Sequence, residues 1–245
     1  MSTSTTSSET DDTRAPLPAQ QFEAELHAIG EARYHDKHPF NIRMHAGELT
    51  ELEFRLWARN RFYYQRNIPV KDAIILTKLP DAADRQAWLL RITDHAGAAE
   101  GQGGLEAWLR LGEAVGYTRE EMRDDSGVLP GVRAAVDRYV SFCKERSWLE
   151  AVASSLTELF APDLLARRVV DVEKHYPWLP PEGLDYFRNR LVQQPKDIGH
   201  VVPLVLREAR TRAQQEACLN ALSFKCDVLW DLLDAVESAA APAVR

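Results

Sequence analysis

Through the body of the chain apolar residues return at intervals of three and four, and no stretch sustains the in-and-out alternation of a half-buried strand. That spacing predicts an all-α protein. One helix is expected from about Gly47 to Asn67, with Leu49, Leu52, Leu56, Phe62 and Tyr63 inward and Pro69 just beyond its end. Asp81 is placed to cap the next, through Trp88, Leu89 and Ile92, and Gly97 to stop it. Leu105 to Val115 reads as another, closed by Gly116, after which Thr118 and Glu121 form a capping box. Pro130 to Phe160 reads as a long helical region with a break near Arg146 to Trp148. Beyond a Pro/Trp-rich turn at His175 to Pro181, a helix carries Leu184 to Val192. The last runs from about Val201 to Val236, with Leu222, Cys226, Leu229, Leu233 and Val236 in heptad-like spacing. About seven substantial helices with short connections imply one compact bundle over residues 21–237. Residues 1–20, rich in Ser and Thr, are expected to form a loose tail, and residues 238–245 a frayed end.

Composition excludes several classes. The 245 residues carry 30 Lys plus Arg against 37 Asp plus Glu, a net charge of −7, which argues against a general nucleic-acid binder. At 45% hydrophobic and 27% charged the chain is ordinary globular material, and its longest uncharged runs, such as Val201 to Leu206, fall short of a membrane span. Cys143, Cys218 and Cys226 make an odd set without a CxxC pair, which fits a reducing compartment. With no basic start followed by an apolar run, the expected location is the cytoplasm.

Polar residues on faces that the periodicity assigns to the interior are the candidates for chemistry. Arg61 and Gln65 stand one helical turn apart among Phe62, Tyr63 and Tyr64. Arg91 with His95, and Tyr186 with Arg190, repeat that spacing. Lys225 falls on the stripe of Cys218, Leu222, Leu229 and Leu232, and Glu158 sits between Leu156 and Leu159. Solvated faces and structural ion pairs account for any one of these alone. Together they describe a bundle that encloses a polyanionic small molecule between aromatic walls. His35, His38 and His45 lack the Glu-x-x-His pattern of helical metal sites, so no metal is expected. The glycines at Gly97, Gly101, Gly103 and Gly104 follow no strand and suit a turn better than a dinucleotide loop. Ser154 and Ser155 lack a nucleophile elbow, which leaves hydrolase chemistry unsupported.

Several strings, in order, resemble the pyrroloquinoline-quinone (PQQ) synthase family. They are Tyr34-His35 with His38-Pro39-Phe40, Arg61-Phe62-Tyr63-Tyr64-Gln65, Ile68 to Ala73, Arg91 to Gly97 and Gly103 to Gly116. Ser154 to Pro162, His175 to Trp178, Tyr186 to Leu191 and Phe224 to Asp227 complete the set, which spans about Phe22 to Val236. The resemblance implies a fold of the TenA and haem-oxygenase-like type, usually a homodimer, with the site inside each bundle. It also implies a reaction: ring closure and eight-electron oxidation of a tricarboxylated quinone precursor by O2, releasing hydrogen peroxide and PQQ, with neither metal nor organic redox cofactor. Carried over by position, Arg61, Lys71, Arg91, Arg168, Arg190 and Lys225 would surround the carboxylates and quinone oxygens. Tyr34, Tyr64, Gln65, Tyr139 and Glu158 would complete the substrate site. His35 and His95 would remove protons, and Tyr186 and Arg190 would face the oxygen pocket.

One position departs from the family pattern. Shortly after Phe160-Ala161-Pro162, where related enzymes carry a histidine of the oxygen pocket, this chain has Leu165. The alternative that follows is a protein of the same fold that binds or hands on PQQ or its precursor with impaired oxygen chemistry. A thiaminase-type hydrolase of the same superfamily ranks below both, because no cysteine lies in a resembling motif.

Overall fold

The structure is a computed structural model that describes residues 14–240. Residues 1–13 of the expected loose tail and residues 241–245 of the expected frayed end lie outside the described residues, whereas Ala19 and Gln20 of the former and residues 238–240 of the latter are helical. Eleven α-helices and four short 3-10 turns make up the described chain, with no strand among the described residues. Residues 14–18, expected in the tail, lie along the last helix: Gln215 accepts from Leu17 N at 2.7 Å and donates to Leu17 O at 3.1 Å. They lead into α1 (Ala19–Arg33), and a 3-10 turn at His35–Lys37 then opens α2 (Pro39–Ala46).

The long α3 (Glu51–Lys78) runs through the middle of the molecule. Gly47 belongs to the turn before it, ending α2 in the left-handed conformation with φ 76°, and α3 starts at a capping box of Thr50 and Glu53. The helix does not stop at Pro69, as the sequence suggests, but carries it inside and continues for two more turns. Proline removes one backbone bond and crowds the preceding turn. Here buried Phe62, Tyr63, Tyr64 and Gln65 below it, and Lys71, Asp72 and Ile75 above it, hold both halves. Leu52, expected inward, is 71% exposed, and Leu89 of the next helix is 50% exposed.

Asp81 caps α4 (Ala82–Ala96), accepting from the backbone of Ala83 and Asp84, and Gly97 ends it. A glycine turn leads to α5 (Gly103–Ala114), followed by the short α6 (Arg119–Arg123) behind the Thr118–Glu121 box. The expected break after α7 (Pro130–Glu145) is present, with Ser147 and Glu150 boxing α8 (Trp148–Ala153). After a 3-10 stretch at Ser154–Phe160 comes α9 (Ala161–His175). The two final helices differ from expectation. α10 (Asp185–Glu208) joins Leu184-to-Val192 to the segment from Val201 across Pro195 and Pro203, and α11 (Arg212–Ala240) starts anew. Thr211 causes that new start, because its hydroxyl accepts from Gln214 N at 3.2 Å while Gln214 Oε1 accepts from Thr211 N at 3.1 Å.

α3 packs on α4, α5, α7 and α11, and α11 closes the other side against α1, α7 and α8. Aromatic rings lock α3, α5 and α10 together: Trp108 lies edge-on to Trp57, Tyr186 and Phe187 at 5.6, 4.8 and 5.7 Å, and its Nε1 donates to Ala58 O. Gly104 permits this approach, since a Cβ there would stand 3.3 Å from the Tyr186 ring. No helix among the described residues is long and apolar enough to cross a membrane.

Candidate active site

Inside the bundle six helices, α5 among them through Trp108, and two 3-10 turns converge on a cavity of about 80 Å³. That is less than the roughly 300 Å³ a drug-sized ligand fills, so the walls must part to admit one. α3 contributes Arg61, Tyr64, Gln65 and Ile68, which share a face because they lie three, four and seven residues apart. By the same rule α9 presents Ala161, Leu164, Leu165 and Arg168, and α10 presents Tyr186, Phe187 and Arg190. His95 comes from the end of α4, Leu229 from α11, Thr157 and Glu158 from the turn before α9, and Tyr34 and His35 from the start of the turn before α2.

Ten of the fourteen expected site residues therefore line one cavity, and Leu165 walls it as well. Lys71, Arg91, Tyr139 and Lys225 stand one layer behind. Lys225, 1% exposed, donates to Tyr64 Oη at 2.7 Å and lies 3.5 Å from the centre of the Tyr139 ring. Lys71 pairs with Asp72 at 2.7 Å and donates to Ser155 at 3.0 Å. Arg91 donates to Glu158 at 2.5 Å and faces Asp197 at 3.7 Å, and Asp197 also holds Arg190 at 3.0 Å. Gln65 Oε1 accepts from Tyr186 Oη at 2.9 Å.

The cations divide into two groups. Lys71, Arg91 and Arg190 have carboxylate partners, whereas Arg61, Arg168 and Lys225 have none among the described residues. Arg61 lies over the Tyr64 ring at 4.1 Å. Arg168 lies over the Trp57 and Phe187 rings and donates to Asn41 Oδ1 at 2.7 Å, with its Nε buried and unbonded. Burial and the neighbouring Arg61 charge pull the Arg168 guanidinium down to about 10. Burial, with Lys71 and Arg61 nearby, also holds the Lys225 ammonium well below its ordinary value. Burial alone would raise the Glu158 carboxyl, yet Arg91, Arg190 and Lys71 bring it down to about 2. Burial lowers both cavity histidines, His95 to about 3 and His35 well below its usual range, where Arg61, Arg168 and Lys225 add their repulsion.

Sequence reasoning did not single out Asn41, Asp72 or Asp197. Asn41 bonds both His35 and Arg168 but has no periodic signal, because it reaches them from a separate short helix. Asp197 lies seven residues after Arg190, two turns along one helix face, and that spacing was readable. The three histidines weighed as metal ligands do not converge: His35 bonds Asn41, His38 bonds Asp234 and His45 bonds Asp171. His38, Asp234 and Glu237 do lie close enough to share an ion. However, His38 Nδ1 accepts from Phe40 N at 3.1 Å, so Nε2 carries the proton and donates to Asp234. That contact ties α2 to α11.

The sequence profile described as the TENA/THI-4/PQQC family matches residues 23–235. The pyrroloquinoline-quinone synthase of Ectopseudomonas mendocina (strain ymp) is 50% identical over 226 residues, covering 92% of this chain and 90% of that one. The enzyme of the same name from Pseudomonas putida (strain GB-1) is 48% identical over 224 residues, covering 91% and 89%. Among solved structures, a domain with a heme oxygenase-like fold from Shewanella denitrificans superposes with a TM-score of 0.74 at 12% identity, covering 91% of this chain and 93% of that one. A TenA homologue from P. horikoshii gives 0.71 at 11% identity, covering 89% and 99%. At that distance the structures speak for the fold alone, which is the haem-oxygenase-like one expected. The chain belongs to the TENA/THI-4/PQQC family and, within it, to the pyrroloquinoline-quinone synthases.

Proposed function

We propose that this protein is an enzyme of PQQ biosynthesis that closes the last ring of a tricarboxylated quinone precursor and oxidises it by eight electrons. O2 is the acceptor, and hydrogen peroxide and PQQ are the products. The observation that carries this reading is the trio Arg61, Arg168 and Lys225, cations in or behind the cavity wall with no carboxylate ion-pair partner among the described residues. Unpaired charge held out of water is costly, and a ligand bearing several carboxylates relieves it. Tyr64 and Gln65 would hold ring substituents, with Tyr34 and Tyr139 beside them. Arg190, fixed by Asp197 next to Tyr186, would stabilise negative charge developing on oxygen.

In this reading the electron-rich ring of the substrate itself reacts with O2, and the chain supplies binding, proton transfer and electrostatics. No metal or organic cofactor takes part. The enzyme works in the cytoplasm as a homodimer, without membrane or nucleic-acid partners. The test is turnover of the reduced-ring precursor by metal-stripped protein under air, followed by PQQ absorbance and oxygen consumption. Protein that stays inert until iron is added contradicts the reading.

Leu165 supports a second reading. It places a hydrocarbon side chain on the cavity wall beside Leu164, and leucine neither donates a hydrogen bond nor titrates. If oxygen activation needs a titrating group there, the protein binds or hands on PQQ or its precursor without completing the oxidation. Single-turnover spectra separate the two: product absorbance rising under air supports the oxidase, and an unchanged bound precursor supports the carrier.

A further inference from the structure

The two histidines on the cavity wall are held by different partners. Asn41, fully buried, places its amide nitrogen 2.6 Å from His35 O and 2.8 Å from His35 Nδ1, while its amide oxygen accepts from Arg168. The orientation of that amide is not free. Arginine only donates and a backbone carbonyl only accepts, so oxygen must face Arg168 and nitrogen must face His35 O. The second amide hydrogen then points at His35 Nδ1, which must accept it. A neutral ring that accepts at Nδ1 carries its proton on Nε2.

His95 is held the other way round. Its Nδ1 lies 3.2 Å from Arg91 O, one turn back on α4, and a carbonyl oxygen can only accept. The proton is therefore on Nδ1, and Nε2 keeps its lone pair. Neither Nε2 has a hydrogen-bond partner among the described residues, and both rings line the cavity.

We infer that the cavity holds its two histidines in opposite tautomers, with Asn41 the positioning residue that makes His35 a hydrogen-bond donor and leaves His95 as the base. The surrounding charges agree. His35 sees the cations Arg61, Arg168 and Lys225, which oppose an imidazolium. Burial, and then Arg190, disfavour one at His95 too, but there the carboxylates of Asp72 and Glu158 act the other way. When His95 takes a proton from the bound ligand onto Nε2, the imidazolium forms facing those carboxylates. His35 cannot give up its Nε2 proton without becoming an imidazolate, so it donates a hydrogen bond to a ligand oxygen and stays neutral. The tautomers stand on hydrogen bonds alone, whereas the catalytic roles rest on the function proposed above.

Long-range proton–nitrogen NMR of protein labelled at histidine nitrogen tests the assignment in the full chain. The expected spectrum shows Nε2–H for His35 and Nδ1–H for His95. A shared tautomer, or Nδ1–H on His35, overturns it whether or not the protein makes PQQ. Asn41→Asp replaces the donor with an acceptor and should move only the His35 signals to Nδ1–H; an unmoved tautomer overturns the role of Asn41. In turnover, His35→Gln retains a donor and should keep kcat within about 10-fold, whereas His95→Gln should lose about 1,000-fold with KM little changed. Equal losses, or the reverse order, contradict the division of roles. Protein that makes no PQQ yet shows the expected tautomers refutes the proposed reaction, not the tautomers.

Discussion

Two polar regions meet at the cavity, and they are built oppositely. On one side Lys71, Arg91 and Arg190 are matched with Asp72, Glu158 and Asp197 and lie in or behind the wall. On the other, Arg61, Arg168 and Lys225 rest on aromatic faces and neutral oxygens. The paired side balances its own charge without a ligand, although Arg91 Nε and Nη1 and Glu158 Oε2 are buried without a hydrogen-bond partner among the described residues. In the proposed function the unpaired side holds charge that the ligand's carboxylates would neutralise. A structural ion-pair network needs only the first arrangement, and the second is what distinguishes a binding site.

Breaking the paired side should cost the most stability. Asp72→Asn strands Lys71, 3% exposed, and is expected to destabilise the fold by about 3 kcal/mol, lowering Tm by about 10 °C. A thermal melt checks this, and an unchanged Tm would show that the pair does no structural work. Breaking the unpaired side should do the reverse. Arg168→Met removes a buried cation without stranding a carboxylate, so Tm should hold or rise, while PQQ affinity measured by calorimetry should fall about 100-fold.

Acid should separate the regions by pH. His95 falls from about 6.5 unfolded to about 3 folded, so its contribution is full above pH 6.5 and is lost progressively down to about pH 3. Glu158, lowered from 4.5 to about 2, loses its contribution only between those values. Melts across pH 3 to 7 should therefore show a slope to which His95 contributes up to about 1.4 kcal/mol per unit, beside the contribution of His35, and which His95→Asn reduces. An identical slope in the variant would remove His95 as its source. The smallest effect is expected from Tyr186→Phe, which deletes one hydrogen bond to Gln65, worth about 1 kcal/mol, and should leave Tm within a few degrees.

Helical spacing made the all-α fold and the convergent faces of α3, α4 and α10 legible, since Arg61 with Gln65, Arg91 with His95, and Tyr186 with Arg190 follow directly from the α-helical repeat. Lys225 stood out because it interrupts an apolar stripe, and it is buried. The errors have local causes. Pro69 read as a stop because proline usually ends a helix, but packing on both sides of it overrides that preference. The start of α11 was readable as Thr211-x-x-Gln214 and was obscured by the apolar run before it. Asn41 was not readable, because its role depends on α2 crossing α9, a long-range contact that leaves no periodic trace.

The claim that the unpaired cations take a polycarboxylate is tested most directly by calorimetric titration of the wild-type protein with PQQ and with its neutral trimethyl ester. The esters keep the ring system and remove the three negative charges. The expected result is binding of PQQ and affinity at least about 100-fold weaker for the triester. Equal affinity for the two would contradict the claim, because the cavity would then recognise the rings and leave Arg61, Arg168 and Lys225 without a ligand role.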